Sequence, residues 1–131
     1  QPDGTGIRDY IHVMDLAEAH RSALELLLEE PPQMLTLNLG SGRGCSVLEM
    51  VSTLERTCHC RVPTDLTERR EGDSAISIAD CSQAWSRLGW RAKRSLEDIC
   101  RDGFRWKREN PAGYDTERPT RLPSAAPGAG T

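Results

Sequence analysis

The chain has 131 residues, with 17 Lys and Arg against 20 Asp and Glu, and a hydrophobic share of 37%. This size and composition predict one globular domain and exclude a fibrous or wholly disordered protein. The net charge of −3 argues against nucleic-acid binding. No apolar run reaches about 18 residues, so we expect no membrane span, and no stretch resembles a signal peptide.

The first quarter of the chain predicts an extended segment followed by a helix. Residues 7–14 are rich in Ile, Tyr and Val, which favours a strand. Asp15 predicts the N-cap of the helix, with Glu18 completing a capping box. We expect five apolar side chains to form the buried face of this helix: Leu16, Ala23, Leu24, Leu27 and Leu28.

A second strand, a glycine-rich loop and a second helix follow. Leucines alternate with polar residues over 34–39, which predicts a strand. Residues 40–44 form the loop, and Ser46 predicts a helix N-cap with Glu49 in the capping-box position. Apolar positions of that helix repeat with helical spacing up to Cys58.

The remainder predicts two further helices and a tail. Residues 61–66 and 76–79 are candidate extended segments, separated by a charged loop over 67–74. Asp80 predicts a cap for a helix over 81–88 that ends at Gly89, and Ser95 with Asp98 begins a helix that ends near Asn110. Residues 115–131 have almost no large apolar side chain, which predicts a disordered tail after a domain over 1–114.

This order of strands and helices predicts the α/β class. The strands are few and short for four helices, and such strands need neighbours with which to pair. We therefore expect the chain to be the later portion of a larger α/β protein.

The five cysteines favour free thiols in a reducing compartment, because their number is odd and no secretory signal precedes them. Cys58, His59 and Cys60 are too closely spaced for a zinc site, and no second pair follows at a suitable distance. We predict no metal site.

Three segments are candidates for chemistry. The loop over 40–44 lies in the context of a dinucleotide fingerprint, but Cys45 stands where the last glycine is required, so a tight turn is favoured. The charged loop RREGD over 69–73 could hold a phosphate and a sugar, although composition alone favours a solvated loop. Arg8 lies in an apolar segment and needs a partner, which could be Asp9 or a ligand anion; His12 beside it is interpreted as structural rather than as a general base.

Several motifs together resemble one enzyme family. GTGIRDYIHVMDL over 4–16, LNLGSG over 37–42, RREGD over 69–73 and NPAGY over 110–114 occur in the order found in the UDP-glucose 4-epimerase (UDP-galactose 4-epimerase) family. The resemblance is to the carboxyl-terminal portion of these extended short-chain dehydrogenase/reductases. It implies a substrate-binding portion without the Rossmann half that holds NAD, and without a Tyr-x-x-x-Lys catalytic pair.

The resemblance also implies roles for individual residues. Arg8 and Arg70 match ligands of the UDP diphosphate, Asp73 matches the residue that meets the ribose, and Glu71 and Gly72 complete the loop. Ser77 falls where several relatives carry a bulky Tyr beside the hexose, so the small side chain is expected to admit an N-acetyl group. No catalytic, NAD-binding or metal-binding residue is expected in this chain.

The implied function is that of a UDP-glucose 4-epimerase, which interconverts UDP-glucose and UDP-galactose in galactose metabolism. We expect this portion to be inactive alone, and the full-length enzyme to be a cytoplasmic homodimer with UDP-sugar as its partner. Two alternatives are another nucleotide-sugar enzyme, such as a dehydratase or decarboxylase, and a non-catalytic nucleotide-binding module.

Overall fold

A small mixed sheet lies at the centre of the fold. The computed structural model describes residues 3–68 and 70–114. Within them, strand β1 (Ile7–Asp9) lies between β2 (Gly44–Ser46) and β3 (Ile76–Ser77). β1 is antiparallel to β2 and parallel to β3, so Arg8 is paired with Cys45 on one side and Ser77 on the other. The central strand therefore brings three distant parts of the chain together.

The helices pack in pairs around this sheet. Helices α1 (Val13–Glu29) and α3 (Ser82–Leu88) contact each other, and α2 (Val47–Cys58) packs against α4 (Leu96–Glu109). Ala19, Ala84 and Trp90 form the buried centre of the first pair. Between the second pair, the buried thiol of Cys100 lies 3.6 Å from the Met50 sulfur. This arrangement agrees with the predicted α/β class.

Two helix starts are confirmed as predicted. Ser46 with Glu49 at the start of α2, and Ser95 with Asp98 at the start of α4, each form a capping box in which side chain and backbone exchange hydrogen bonds. Gly89 ends α3 in the left-handed conformation, also as expected. These features depend only on residues close in sequence.

The predicted cap of α1 is wrong. His12 is the N-cap, and its Nδ1 accepts a hydrogen bond from the Met14 N–H at 3.0 Å. The N-cap of α3 is likewise Cys81, one residue after the prediction, while the Asp80 carboxylate accepts from the Ser82 N–H.

Asp15 is instead a completely buried carboxylate. It accepts hydrogen bonds from the Lys93 and Arg94 N–H groups, and its second oxygen contacts the Arg94 guanidinium at 2.5 Å. The same guanidinium donates to Glu18 at 2.9 Å. This network attaches α1 to the segment that precedes α4. Burial would raise the pKa of Asp15, but the hydrogen bonds from Arg94 and Lys93 lower it below its ordinary value.

The predicted buried face of α1 is also partly wrong. Leu24, Leu27 and Leu28 are exposed, Leu28 to 78%. The buried residues of the helix are Asp15 and Ala19, with Leu16 and Ala23 half-buried. The helix contacts the fold along a narrow strip. Its leucine stripe therefore faces away from the other described residues.

Two predicted strands are absent from the described residues, and one strand was missed. Residues 34–39 form no ladder, although Leu35, Leu37 and Leu39 are half-buried while Thr36 and Asn38 between them are exposed. A strand needs a partner for its N–H and C=O groups, and within the described residues this segment has none. Residues 61–66 likewise form no strand, whereas β2 was not predicted because it is only three residues long and begins with Gly44.

The predicted tail over 115–131 lies outside the described residues, so the domain boundary at 114 stays a prediction. Among the residues that the structure describes, no helix is both long enough and apolar enough to cross a membrane. All five cysteines are described, and none of them forms a disulfide.

Candidate functional site

A cleft of about 830 Å³ lies between the first residues described, the start of α2 and the loop before β3. Its volume is in the range of sites that bind drug-sized ligands. Residues 3–6 form one side and residues 64–68 and 70–73 another, while three apolar residues of α2 complete the lining: Val47, Leu48 and Val51. The cleft thus combines a charged loop with an apolar wall.

An ion pair at the edge of the cleft joins two of the predicted site residues. The Arg8 guanidinium donates to the Asp73 carboxylate at 2.6 Å, although the residues are 65 positions apart in sequence. Its other terminal nitrogen donates to the carbonyl oxygen of Ile7 at 2.8 Å. Of the two partners considered for Arg8, Asp9 is engaged elsewhere, and the protein partner that the structure gives is Asp73.

A tight turn over residues 70–73 presents the remaining candidates. The Asp73 N–H donates to the Arg70 carbonyl at 3.2 Å, and Gly72 has a φ of +79°, which other residues rarely adopt. Arg70, Glu71, Gly72 and Asp73 all line the cleft and are exposed. The turn therefore places one cation and two carboxylates at the cleft; Arg69 lies outside the described residues.

Ser77 lies beside Arg8 on the neighbouring strand, since the two residues are paired in the parallel register of β1 and β3. It is exposed and does not line the cleft itself. The structure therefore brings Arg8 next to Ser77 through the strand pairing and next to the 70–73 turn through its ion pair with Asp73.

Residues 3–6 form one wall of the cleft. The Asp3 carboxylate accepts hydrogen bonds from the Ser46 hydroxyl and from both the N–H and hydroxyl of Thr5. The Ser46 hydroxyl, followed by the Thr5 backbone N–H, lowers the pKa of Asp3 below its ordinary value. The Thr5 hydroxyl in turn accepts from the Leu48 N–H at 3.4 Å. The contacts with Ser46 and Leu48 attach the segment to the start of α2, and no short-range sequence signal indicates them.

The carboxylate of Asp9 fills the glycine-rich loop. It accepts hydrogen bonds from the Ser41 N–H and hydroxyl, from the Gly42 N–H at 3.0 Å and from the Ala79 N–H at 3.2 Å. Burial would raise the pKa of Asp9, but these hydrogen bonds lower it. A Cβ at Gly40 would lie 2.5 Å from the Asp9 carboxylate. The loop is therefore a clamp around a side chain of the same chain, and its N–H groups do not form a phosphate cradle.

His12 is held on both ring nitrogens. Nδ1 accepts the Met14 N–H, so Nε2 carries the proton and donates to Asp102 at 3.1 Å. The side chain is only 4% exposed. These contacts agree with the structural interpretation of His12.

Four of the cysteines have thiols that are harder to ionise than usual. Burial and the neighbouring Glu49 carboxylate raise the pKa of Cys45 to about 11. Burial also raises the pKa of Cys58, Cys81 and Cys100. A thiol must ionise to act as a nucleophile, so these side chains are suited to packing.

Comparison with known proteins gives one consistent result. No family model matches the chain. The chain is 50% identical over 113 residues to a UDP-glucose 4-epimerase of Dictyostelium discoideum, and the aligned region covers 86% of this chain and 33% of the relative. The chain matches the carboxyl-terminal portion of UDP-glucose 4-epimerases.

Solved epimerase structures agree with this assignment. The UDP-glucose 4-epimerase from Stenotrophomonas maltophila, with bound NAD and formylated UDP-arabinopyranose, is 48% identical with a TM-score of 0.80, over 86% of this chain and 33% of that one. The enzyme from Bifidobacterium longum, in complex with NAD+ and UDP, is 38% identical with a TM-score of 0.80, over 87% and 33%. The resemblance found in the sequence is therefore confirmed, and the chain spans about a third of the length of these epimerases.

Proposed function

We propose that the chain is the UDP-sugar-binding portion of a UDP-glucose 4-epimerase. The observation that carries the proposal is that Arg70 and Asp73 line one cleft while Arg8 is ion-paired with Asp73 at its edge, in a chain that matches these epimerases. Guanidinium groups bind phosphate oxygens with paired hydrogen bonds, and a carboxylate accepts hydrogen bonds from the hydroxyls of a ribose. Arg8 and Arg70 then hold the diphosphate, and Asp73 with Glu71 and Gly72 holds the nucleoside side.

Within this proposal, the described residues bind and orient the substrate. The two arginines hold the diphosphate away from the sugar carbon that reacts, so they contribute binding and orientation. In the proposed full-length enzyme, NAD would supply the hydride-transfer chemistry at C4 of the sugar. The described residues do not fit NAD, because Asp9 occupies their glycine-rich loop. We assign NAD binding to the part of the related epimerases that this chain does not match.

Calorimetry with UDP tests the binding role. We expect Arg70→Ala to raise the dissociation constant for UDP by about tenfold or more, as loss of a charged hydrogen-bonding group requires. Arg21→Ala is the matched control, because Arg21 is an exposed arginine paired with Glu25 on α1. Equal binding of UDP by Arg70→Ala and the parent chain would reject the proposed site.

Activity is tested in a chimera that joins the amino-terminal two-thirds of the Dictyostelium discoideum enzyme to this chain. We expect the chimera to convert UDP-galactose to UDP-glucose and the 131-residue chain alone to be inactive. A chimera that binds UDP but performs a dehydration or decarboxylation instead would favour another nucleotide-sugar enzyme. UDP binding without any turnover would favour a non-catalytic module.

We further propose that Ser77 leaves room for an N-acetyl group on the sugar. Its small exposed side chain next to Arg8 supports this. In the chimera, Ser77→Tyr should reduce turnover of UDP-N-acetylglucosamine relative to that of UDP-glucose. Unchanged relative turnover would reject the idea.

The assembly and location follow from the same resemblance. We propose that the full-length enzyme is a homodimer in the cytoplasm, and the free cysteines are compatible with a reducing compartment. Sedimentation equilibrium of the full-length protein tests the dimer, and a monomer over the working concentration range would reject it.

A further inference from the structure

The backbone conformation at position 6 does not require a glycine, although Gly6 stands there. Glycine is needed where φ is positive, as at Gly4 (φ +77°). The φ of Gly6 lies outside that region, so an alanine could adopt the same backbone. The reason for a glycine at this position must lie in the space beside its Cα.

That space is filled by the Arg8 guanidinium. A Cβ built on Gly6 would lie 3.0 Å from Nη1 of Arg8, and 3.3 Å from Cζ and from Nη2, and these are its three nearest atoms. Distances this short are below ordinary van der Waals contact between a methyl group and these atoms, so the guanidinium would have to move. The guanidinium therefore lies directly against the Gly6 backbone.

The rest of the Arg8 side chain is fixed from the other sides. Nη2 donates to Asp73 at 2.6 Å and Nη1 donates to the Ile7 carbonyl at 2.8 Å. Gly6 is itself held, because its carbonyl accepts from the Val47 N–H at 3.2 Å at the start of α2. A mobile arginine loses side-chain entropy on binding an anion, and a prearranged one loses less.

We propose that Gly6 is a positioning residue for Arg8: the missing side chain lets the guanidinium lie where it reaches both Asp73 and a diphosphate in the cleft. The inference rests on the proposed function, since it assigns Arg8 to the diphosphate. Gly6 also lines the cleft, but in this proposal it acts on the ligand through Arg8 and takes no part in the chemistry. Its role differs from that of Gly40 and Gly44, where an added Cβ would strike Asp9, or Ile7 and Ile78.

The test measures binding of inorganic pyrophosphate and of UDP to the full chain and to Gly6→Ala by calorimetry. We expect Gly6→Ala to weaken both by about three- to tenfold, the partial loss of one charge-assisted contact. The thermal unfolding midpoint should change little, because the disturbed Arg8–Asp73 pair is partly exposed and alanine restricts the unfolded chain. A merely structural role would lower the midpoint and the affinity together, and that result would overturn the inference.

Gly103→Ala is the matched control. Gly103 also has φ outside the left-handed region, it lies in α4, and nothing lies within 4 Å of its absent Cβ. The substitution should leave pyrophosphate binding unchanged. A loss of affinity equal to that of Gly6→Ala would count against the inference.

A double-mutant cycle separates the inference from the function on which it rests. In an Arg8→Ala background, Gly6→Ala should have no further effect on pyrophosphate binding, because the group through which it acts is gone. An undiminished effect there, or normal binding by Gly6→Ala alone, overturns the inference and leaves the diphosphate role of Arg8 intact. Normal pyrophosphate binding by Arg8→Ala alone overturns that role and the inference with it.

Discussion

At the scale of single residues, the largest stability effect is expected at Asp15. Its carboxylate is completely buried and accepts from two backbone N–H groups and one guanidinium. Asp15→Asn replaces one acceptor with a donor and leaves Arg94 partly unpaired. Such losses in a buried ion pair cost about 3 kcal/mol, which urea denaturation at pH 7 would measure as a lower free energy of unfolding.

An exposed ion pair provides the comparison for Asp15. The side chain of Glu25 is 54% exposed and pairs with Arg21 one helical turn away. Glu25→Gln should cost less than about 1 kcal/mol, because water screens the pair. If the two substitutions cost the same, the buried network around Asp15 does not stabilise the fold as described.

At the scale of secondary-structure elements, the end of α2 carries strain. His59 has a φ of +50° and a ψ of +43°, the left-handed conformation, without being a glycine. His59→Gly should raise the free energy of unfolding by about 0.5 kcal/mol, the strain relieved less the entropy that glycine adds to the unfolded chain. Chemical denaturation would measure the change.

The same substitution within a helix should have the opposite sign. His20 lies in the middle of α1 and is exposed. His20→Gly should lower the free energy of unfolding by a few tenths of a kcal/mol to about 1 kcal/mol, because glycine is a poor helix former. A loss of stability at both positions would show that the left-handed residue is not strained.

The start of α4 gives a pH dependence with a definite sign. Hydrogen bonds from the Ser95 backbone and hydroxyl, then from Arg101, lower the pKa of Asp98 from 3.8 to about 2. A carboxyl with a lower pKa in the folded state stabilises the fold above its ordinary pKa and loses that contribution as pH falls through the folded value. The advantage of the parent over Asp98→Asn should therefore be constant near neutral pH and shrink from about pH 4 towards pH 2.

Circular dichroism during acid titration would follow this difference. Ser95→Ala removes one donor to Asp98, so it should reduce the pH-dependent difference in part. A difference between parent and Asp98→Asn that does not vary below pH 4 contradicts the assigned role of the capping box.

Sequence reasoning succeeded at elements whose determinants are local. The capping boxes of α2 and α4 join residues three positions apart, and Gly89 ends α3 by its own conformation. Asp15 was misassigned as an N-cap, and the partners of Asp9 were not predicted, because the groups that these carboxylates bind lie 32 to 79 residues away. The same limit applies to the site: RREGD was recognised as a candidate, but its contact with Arg8 depends on the pairing of β1 and β3.

The periodic pattern of apolar residues also does not show whether a helix face or an extended segment has another part of the chain to pack against or pair with. The leucine stripe of α1 predicts a helix, yet Leu24 and Leu28 face away from the other described residues. The alternating segment over 34–39 keeps its pattern in burial but has no strand beside it in the described part of the chain. Both patterns are typical of a chain that spans about a third of its relatives' length.

At the scale of the whole molecule, this outward leucine stripe should promote association. Leu24, Leu27 and Leu28 are 57%, 44% and 78% exposed on one helix. Grouped apolar side chains of this kind favour contact between copies. We expect the 131-residue chain to self-associate as its concentration rises, and Leu28→Lys to shift it towards the monomer in sedimentation equilibrium.

Ser52→Lys controls for the added charge. Ser52 is exposed on α2, away from the stripe, so the variant gains the same positive charge without losing a leucine. It should associate like the parent. If Leu28→Lys and Ser52→Lys behave alike, net charge rather than the stripe governs association.

The central position of β1 has a consequence for how the cleft can adjust. Arg8 is on a strand hydrogen-bonded on both edges, whereas Asp73 is on an exposed turn that bends at Gly72. The strand that carries Arg8 is thus rigid, whereas the turn that carries Asp73 can deform. Ligands of different size are therefore accommodated by movement of the turn, while Arg8 keeps its place.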